Sequence, residues 1–431
     1  MAMVVKNNMS ALSTLNTLNK NSSALSKSLQ KVSSGMKINS AADDASGYAI
    51  SERMRVQIRS LDQANSNAQN GGSMLKVAEG AVSSTVEILK TLKEKAVNAA
   101  NDTNTDADRQ TIQKELDQSI DQINDNANVT FNGQYLVDGS KNSHTDATCT
   151  AMTNQSLGLT TTSSTALTDL TARNGDSLNI QKTDKVTVSW VKDGKTYNCS
   201  LDVTSSTTMS DVFGLCSDIS YSGADSKIGI DGSGNTVYTA SGESGITIAS
   251  KGTGIDNQVA GFTISVQDNT GAVRKSANAA LDAFDESIRA QNKSDDNSIS
   301  LQIGTKANQT INVGLTDMKA QALGLQGKDN STLQVGNQEQ ANAAINVLDN
   351  AIQKALDQQT TIGAAESRLE YTQSNLTTAS ENVTSAESTI RDADMAKEMT
   401  EYTKNNVLMQ AAQSMLAQAN QSSSNALSLL Q

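Results

Sequence analysis

Residues 348–390 read LDNAIQKALDQQTTIGAAESRLEYTQSNLTTASENVTSAESTI, and within them Leu348, Ala355, Ile362, Leu369, Leu376, Val383 and Ile390 recur at intervals of seven. Ala365, Thr372, Ala379 and Ala386 recur beside them at the same interval. Two rows with this spacing make one apolar stripe on an α-helix. A helix from Gln340 to Ile390 runs about 75 Å at 1.5 Å per residue. Such a rod cannot hide its stripe alone, and its Ala positions let neighbouring helices come close. The spacing therefore predicts an intramolecular helical core along this segment.

The N-terminal side of the chain supplies helices to cover it. Leu15, Leu18, Leu25, Leu29, Val32 and Met36 follow an a/d heptad interrupted at Ser22. Residues 44–98 continue with Ile50, Met54, Ile58 and Leu61, then Leu75, Ala78, Val82, Leu89 and Leu92; Gly71-Gly72 between them marks a kink or a change of face. Asp106 or Asp108 is placed to cap a third helix carrying Ile112, Leu116, Ile120 and Ile123, with its stop at Asn132-Gly133. At the far end Val407, Leu408, Ala411, Met415 and Ala419, then Leu427, Leu429 and Leu430, stripe a last polar helix. The two terminal helices lack a partner next to them in sequence, so they are expected to pair with each other as a coiled coil.

Between residues 140 and 296 helical periodicity fades and Ser, Thr, Gly and Asn dominate. Alternation at 185–191, 196–203, 246–249 and 262–266 predicts strands, and Asp193-Gly194 predicts a hairpin. Asp231 to Asn235, DGSGN, lacks the carboxylate spacing and closing Glu of a calcium loop and is expected to be a turn. The expected fold is mainly α with a β-rich insert. A long antiparallel helical bundle is made of both chain ends, and an outer domain is inserted in the middle.

Composition excludes several functions. Across 431 residues, 34 Lys and Arg against 46 Asp and Glu leave a net charge of −12, which disfavours nucleic acid and anionic membrane surfaces as partners. The one histidine, His144, rules out multi-histidine metal sites and leaves little room for His-based catalysis. No catalytic residue, metal site or cofactor is expected. Proline is absent where average usage would give roughly twenty, so no ring interrupts a helix. Aromatic residues are 3 %, which suits thin helical bundles. Cys149, Cys199 and Cys216 are too few for a disulfide framework; Cys199 and Cys216 are open to a disulfide or to buried free thiols. No cleavable signal and no apolar run long enough to span a membrane is visible.

Four stretches then carry a family signature. Ser33 to Glu52 (SSGMKINSAADDASGYAISE), Ile362 to Glu370 (IGAAESRLE), Ala386 to Glu398 (AESTIRDADMAKE) and Met415 to Gln421 (MLAQANQ), followed by Leu427 to Leu430 (LSLL), together resemble the terminal regions of bacterial flagellins. The tail departs from the family pattern, with Ser422 to Ser424 where a Pro is usual and Gln431 in place of a final Arg.

The resemblance implies a homopolymer, the flagellar filament, outside the cell. It also implies export of the unfolded chain through the flagellar type III channel, and absence of proline then spares refolding at a distant tip any slow isomerisation. Expected partners are an export chaperone on the C-terminal helix and the filament cap and junction proteins. The implied layering is 1–43 with 392–431 as inner core, 44–177 with 295–391 as a helical rod, and 178–294 as a variable β-rich outer domain. Polymerisation is expected at Leu15, Leu18, Leu25, Leu29, Val32, Leu408, Met415, Leu427 and Leu430. Many flagellins carry an Arg-x-Arg-Glu-Leu segment that, with a downstream Glu, is recognised by an animal innate immune receptor. Here Thr91, Lys93 and Lys95 align with it and Glu115 lies downstream. Thr91 removes a planar bidentate donor and Lys95 an apolar contact, so weakened receptor activation is expected. A hook-filament junction protein and a secreted coiled-coil effector are the alternatives at this level.

Overall fold

The computed structural model describes residues 8–428, apart from the side chains of residues 222–224, 423 and 425–428. The chain divides into two compact units. One comprises Met1–Ala68, Gln302–Gln309 and Tyr371–Gln431; the other comprises Gln69–Leu301 and Thr310–Glu370. Helices dominate both ends: α1 (Met9–Ser34), α2 (Ala45–Ala99), α3 (Asp106–Ala127) and, after the β-rich middle, two further long helices.

In the first unit α1 starts at Asn8, whose side chain accepts from the Ala11 amide at 2.9 Å, and stops at Gly35 in the left-handed region (φ 72°). A glycine there ends a helix without a Cβ penalty. The last helix of the chain, Met395–Ser428, packs along α1. Elsewhere in this unit Leu61 and Ala64 of α2 are buried against Leu376, with Ala379 and Val383 alongside.

In the second unit α2 buries Leu75, Ala78, Val82, Val86, Leu89 and Leu92, one face at helical spacing. α2 stays helical through Gly71-Gly72. Gly71 permits a close approach: a Cβ there would sit 2.5 Å from the Leu301 side chain. α3 opens on a reciprocal cap between Thr105 and Asp108 and buries Leu116, Ile120 and Ile123. It ends earlier than expected, at Ala127, because Asn132 (φ 51°) and Gly133 (φ 77°) form the turn of a small hairpin, β1 (Thr130–Phe131) and β2 (Gln134–Tyr135).

The middle holds β3 (Ala151–Asn154), β4 (Lys185–Lys192), β5 (Lys195–Asp202), α4 (Met209–Gly214), β6 (Ile219–Asp225), β7 (Lys227–Ile230), β8 (Thr236–Tyr238), β9 (Gly245–Ser250), β10 (Val259–Gln267), α5 (Lys275–Leu281), β11 (Phe284–Ile288), β12 (Ile299–Gln302) and β13 (Thr310–Val313). One sheet has the order β10-β4-β5 and another β11-β3-β9-β6, with antiparallel pairing throughout both. Asp193 and Gly194, both at positive φ, turn β4 into β5 as the sequence predicts. Asp231 is a turn residue between β7 and β8, its Oδ1 accepting from the Ser233 and Asn235 amides. Trp190, Phe213, Phe262 and Phe284 anchor the apolar cluster of this region.

The long helix α6 (Gln338–Arg391) follows the expected heptad. Leu348, Ala355, Ile362 and Leu369 are buried in the second unit and Leu376 in the first. β10 docks directly on α6: Asn346 and Asn350 donate to the carbonyls of Phe262 and Ala260 at 3.3 and 2.9 Å. Gly261 has no room for a side chain, since a Cβ would lie 2.6 Å from Val347. The helix α7 (Met395–Ser428) completes the fold, which is mainly α with a β-containing middle and paired terminal helices.

Candidate assembly surface

The two terminal helices run antiparallel, and four polar contacts fix their register. Asn8 Nδ2 donates to the Ala419 carbonyl (3.2 Å), Asn21 Nδ2 to the Leu408 carbonyl (3.2 Å) and Asn405 Nδ2 to Ser28 Oγ (3.0 Å). Lys31 Nζ lies 3.7 Å from Glu398. Among the covered positions on α1, Ala11, Thr14, Leu18, Asn21, Leu25, Ser28 and Val32 follow a regular heptad in which every second member beyond Ala11 is apolar, with Ala24 and Lys31 half-buried beside it. On α7 Glu398, Tyr402, Asn405, Met409, Ala412, Leu416 and Ala419 follow the same spacing, with Glu401 and Asn406 half-buried beside them.

This corrects the seam expected from the sequence. Leu15 and Leu29 lie one position beyond it and are exposed, Leu29 at 51 %. Val407, Leu408 and Met415 are likewise exposed, Met415 at 62 %. Polar residues took the seam because an Asn or Ser that reaches a partner across a coiled coil fixes register at tolerable cost. Of the expected assembly residues, Leu18, Leu25 and Val32 are half-buried in the seam, while Leu15, Leu29, Leu408 and Met415 face outward. The Leu427 side chain and the whole of Leu430 lie outside the described residues.

The Ser33 to Glu52 motif builds the junction between α1 and α2 and meets the end of α6. Met36 and Asp392 form an antiparallel bridge. The Lys37 amide donates to the Arg391 carbonyl (2.8 Å) and the Ala393 amide to the Gly35 carbonyl (2.9 Å). Asp43 accepts from the amides of Asn39 and Ser40, and Asp44 from those of Ser46 and Gly47. The bond from the Ser40 amide is the main reason that the Asp43 carboxyl lies below the usual carboxylate range. Glu52 accepts from Arg391 at 2.6 Å, and that hydrogen bond holds its carboxyl below the usual range. The Arg391 guanidinium also lies 5.5 Å from the Tyr48 ring centre.

The segment aligned with the immune-receptor motif lies in the second unit. Thr91 is exposed, Lys93 pairs with Asp349 of α6, and Lys95 pairs with Glu115 of α3 at 2.9 Å. Both lysines are thus engaged within the chain. Among the described residues no group of three or more His, Cys, Asp or Glu could hold a metal ion. No helix among them is long and apolar enough to cross a membrane.

A chain whose two terminal helices pair with each other, with exposed apolar side chains on that pair and no metal cluster among the described residues, has the features of a structural protein. Residues 5–142 match the bacterial flagellin N-terminal helical region and residues 345–430 the bacterial flagellin C-terminal helical region. A flagellin of Clostridium tyrobutyricum is 35 % identical over 427 residues, covering 97 % of this chain and 99 % of its own. A flagellin of Bacillus subtilis (strain 168) is 30 % identical, covering 99 % and 100 %. Among solved structures, flagellar hook associated protein-3 of Legionella pneumophila matches with a TM-score of 0.34 at 15 % identity, over 78 % of this chain and 97 % of its own. The chain belongs to the bacterial flagellin family, and it is a structural subunit of the extracellular flagellar filament.

Proposed function

We propose that this subunit polymerises through the outward rows of its terminal helix pair. The observation that carries the reading is the exposure of Leu15, Leu29, Leu408 and Met415 beside a seam that is already closed. Four large apolar side chains left in water on one coiled coil favour a further packing partner at roughly 25 cal/mol per Å² covered. Contacts that do not close on themselves generate an open helical polymer. In this reading 1–43 with 392–431 make the inner core, 44–177 with 295–391 the surrounding rod, and 178–294 the outer surface.

The same rows would be a liability before assembly. An export chaperone covering α7 answers it, and passage through the flagellar channel takes the unfolded chain outside. Filament cap and junction proteins are the expected contacts at the ends of the polymer. The role is structural, without catalysis. Receptor activation is weak in this proposal because Thr91 offers no guanidinium and Lys95 replaces an apolar contact and is paired with Glu115. Seeded assembly tests the reading: monomer added to short filament seeds should grow long filaments by electron microscopy, and persistent folded monomer would refute it.

A further inference from the structure

Three Asn-Gly steps occur in the chain: Asn70-Gly71, Asn132-Gly133 and Asn174-Gly175. In such a step the main-chain nitrogen after the asparagine has no side chain beside it, so it can approach the asparagine's own amide carbon. All three asparagines are exposed. They differ in what holds them.

Asn70 lies inside α2, with the Gly71 amide in the helical ladder. Asn174 is tied twice to Asp176: its Oδ1 accepts from the Asp176 amide at 3.1 Å and its Nδ2 donates to Asp176 Oδ2 at 2.6 Å. The Gly175 amide donates to the Ala172 carbonyl at 2.9 Å. Asn132 has neither restraint. Among the described residues its side chain makes no hydrogen bond, and the Gly133 amide reaches no main-chain carbonyl.

The turn that carries Asn132 is also weakly held. Asn132 (φ 51°) and Gly133 (φ 77°) both sit in the left-handed region, the backbone of a two-residue hairpin loop. The hairpin has two residue pairs, Thr130 with Tyr135 and Phe131 with Gln134, and Thr130, Gln134 and Tyr135 are exposed. A ladder this short opens at small cost. Opening matters because the Asn132 main chain must leave the turn conformation before the Gly133 nitrogen can face Cγ.

We propose that Asn132 is a site of self-modification, converting to aspartate and isoaspartate through a cyclic imide closed with Gly133. The Gly133 nitrogen bonds to Cγ of Asn132, the Cγ–Nδ2 bond breaks, and ammonia leaves with the Gly133 amide proton. Water then opens the five-membered ring at either of its carbonyls. One opening gives aspartate, and the other gives isoaspartate, whose main chain runs through the former side chain. Both products put a negative charge on the turn, and isoaspartate lengthens the main chain by one atom, so the two-residue loop no longer fits its ladder. Just beyond the hairpin the Leu136 amide donates to the Val129 carbonyl at 3.3 Å, and Leu136 and Val137 are buried. The modified turn therefore abuts the core.

The test is a time course on the full-length wild-type protein at pH 8, with conversion at each of the three asparagines read by peptide mass spectrometry. In the folded protein Asn132 should convert roughly tenfold faster than Asn70 or Asn174, and in urea the three rates should come together, because local opening sets the difference. Asn132→Gln, which would have to close a six-membered ring, should leave the hairpin peptide unmodified over the same period. Conversion of Asn70 or Asn174 in the folded protein at the rate of Asn132 or faster overturns the proposal. So does a spread of rates that persists in urea, and neither result depends on a variant that folds.

Discussion

Arg391 at the end of α6 and Glu52 near the start of α2 meet at 2.6 Å across 339 residues of sequence. The guanidinium is 7 % exposed, and its own main-chain carbonyl accepts the Lys37 amide. One residue thus ties both strands of the junction through which the chain passes into α1 and α7. Arg391→Ala keeps the carbonyl and removes the charge and the contact over Tyr48. In assembled filaments, hydrogen exchange at the Lys37 and Ala393 amides should rise about tenfold, equivalent to about 1.4 kcal/mol. Unchanged exchange at both would show that the backbone bridge holds without the side chain.

Asp282, just after α5, carries a carboxyl pushed up to about 6 by burial, against the Ile264 amide and the Asn346 side chain. A raised carboxyl contributes stability that is complete below about 3.8 and is lost as pH rises towards 6. Asp282→Asn should therefore raise stability at pH 8 by on the order of 2 kcal/mol and flatten the melting profile between pH 4 and 6. Thermal melts of wild type and variant compare directly; equal slopes in that window would contradict the assignment.

All three cysteines are free thiols, and Cys216 alone is buried. Burial pushes its thiol up to about 12, with the Cys199 charge adding to the effect. Thiolate is the reacting form, so alkylation of the native protein at pH 8 should label Cys216 at least tenfold more slowly than Cys149 or Cys199. Peptide mass spectrometry after timed iodoacetamide treatment reads the three rates, and equal labelling would contradict the buried environment.

Thr91→Arg combined with Lys95→Leu restores the first and last residues of the receptor motif, with Lys93 keeping the charge of its middle Arg, and releases Glu115 from its ion pair. The double variant should activate a receptor reporter cell line at lower protein concentration than the wild type does. A wild-type response already equal to that of a flagellin with the full motif would contradict the expected weakness.

Much of this molecule is legible in the order of its residues. The seven-residue rows place α6 within two residues at its start and one at its end, because Leu and Ala repeat with no Pro and the single Gly363 does not interrupt the rows. The β4–β5 hairpin is equally plain, since Asp193-Gly194 separates two alternating runs. Other features escape. β3 is buried at all four residues, so it shows no alternation. The third helix stops short of Asn132-Gly133 because that pair serves a hairpin. The seam between α1 and α7 was invisible to an apolar count, since Thr14, Asn21 and Ser28 occupy it while Leu15 and Leu29 do not. The ion pair of Arg289 with Asp357 joins residues 68 apart in sequence that the fold alone brings together.

The central claim is that the outward rows of the terminal pair are the polymerisation surface. The most direct measurement is seeded assembly of a Leu29→Glu, Met415→Glu double variant beside the wild type, with circular dichroism on both. Both residues lie outside the α1–α7 seam, so helical content should be retained. The account predicts that seeds stop growing and the variant stays in the supernatant. Growth of variant filaments at the wild-type rate would contradict it.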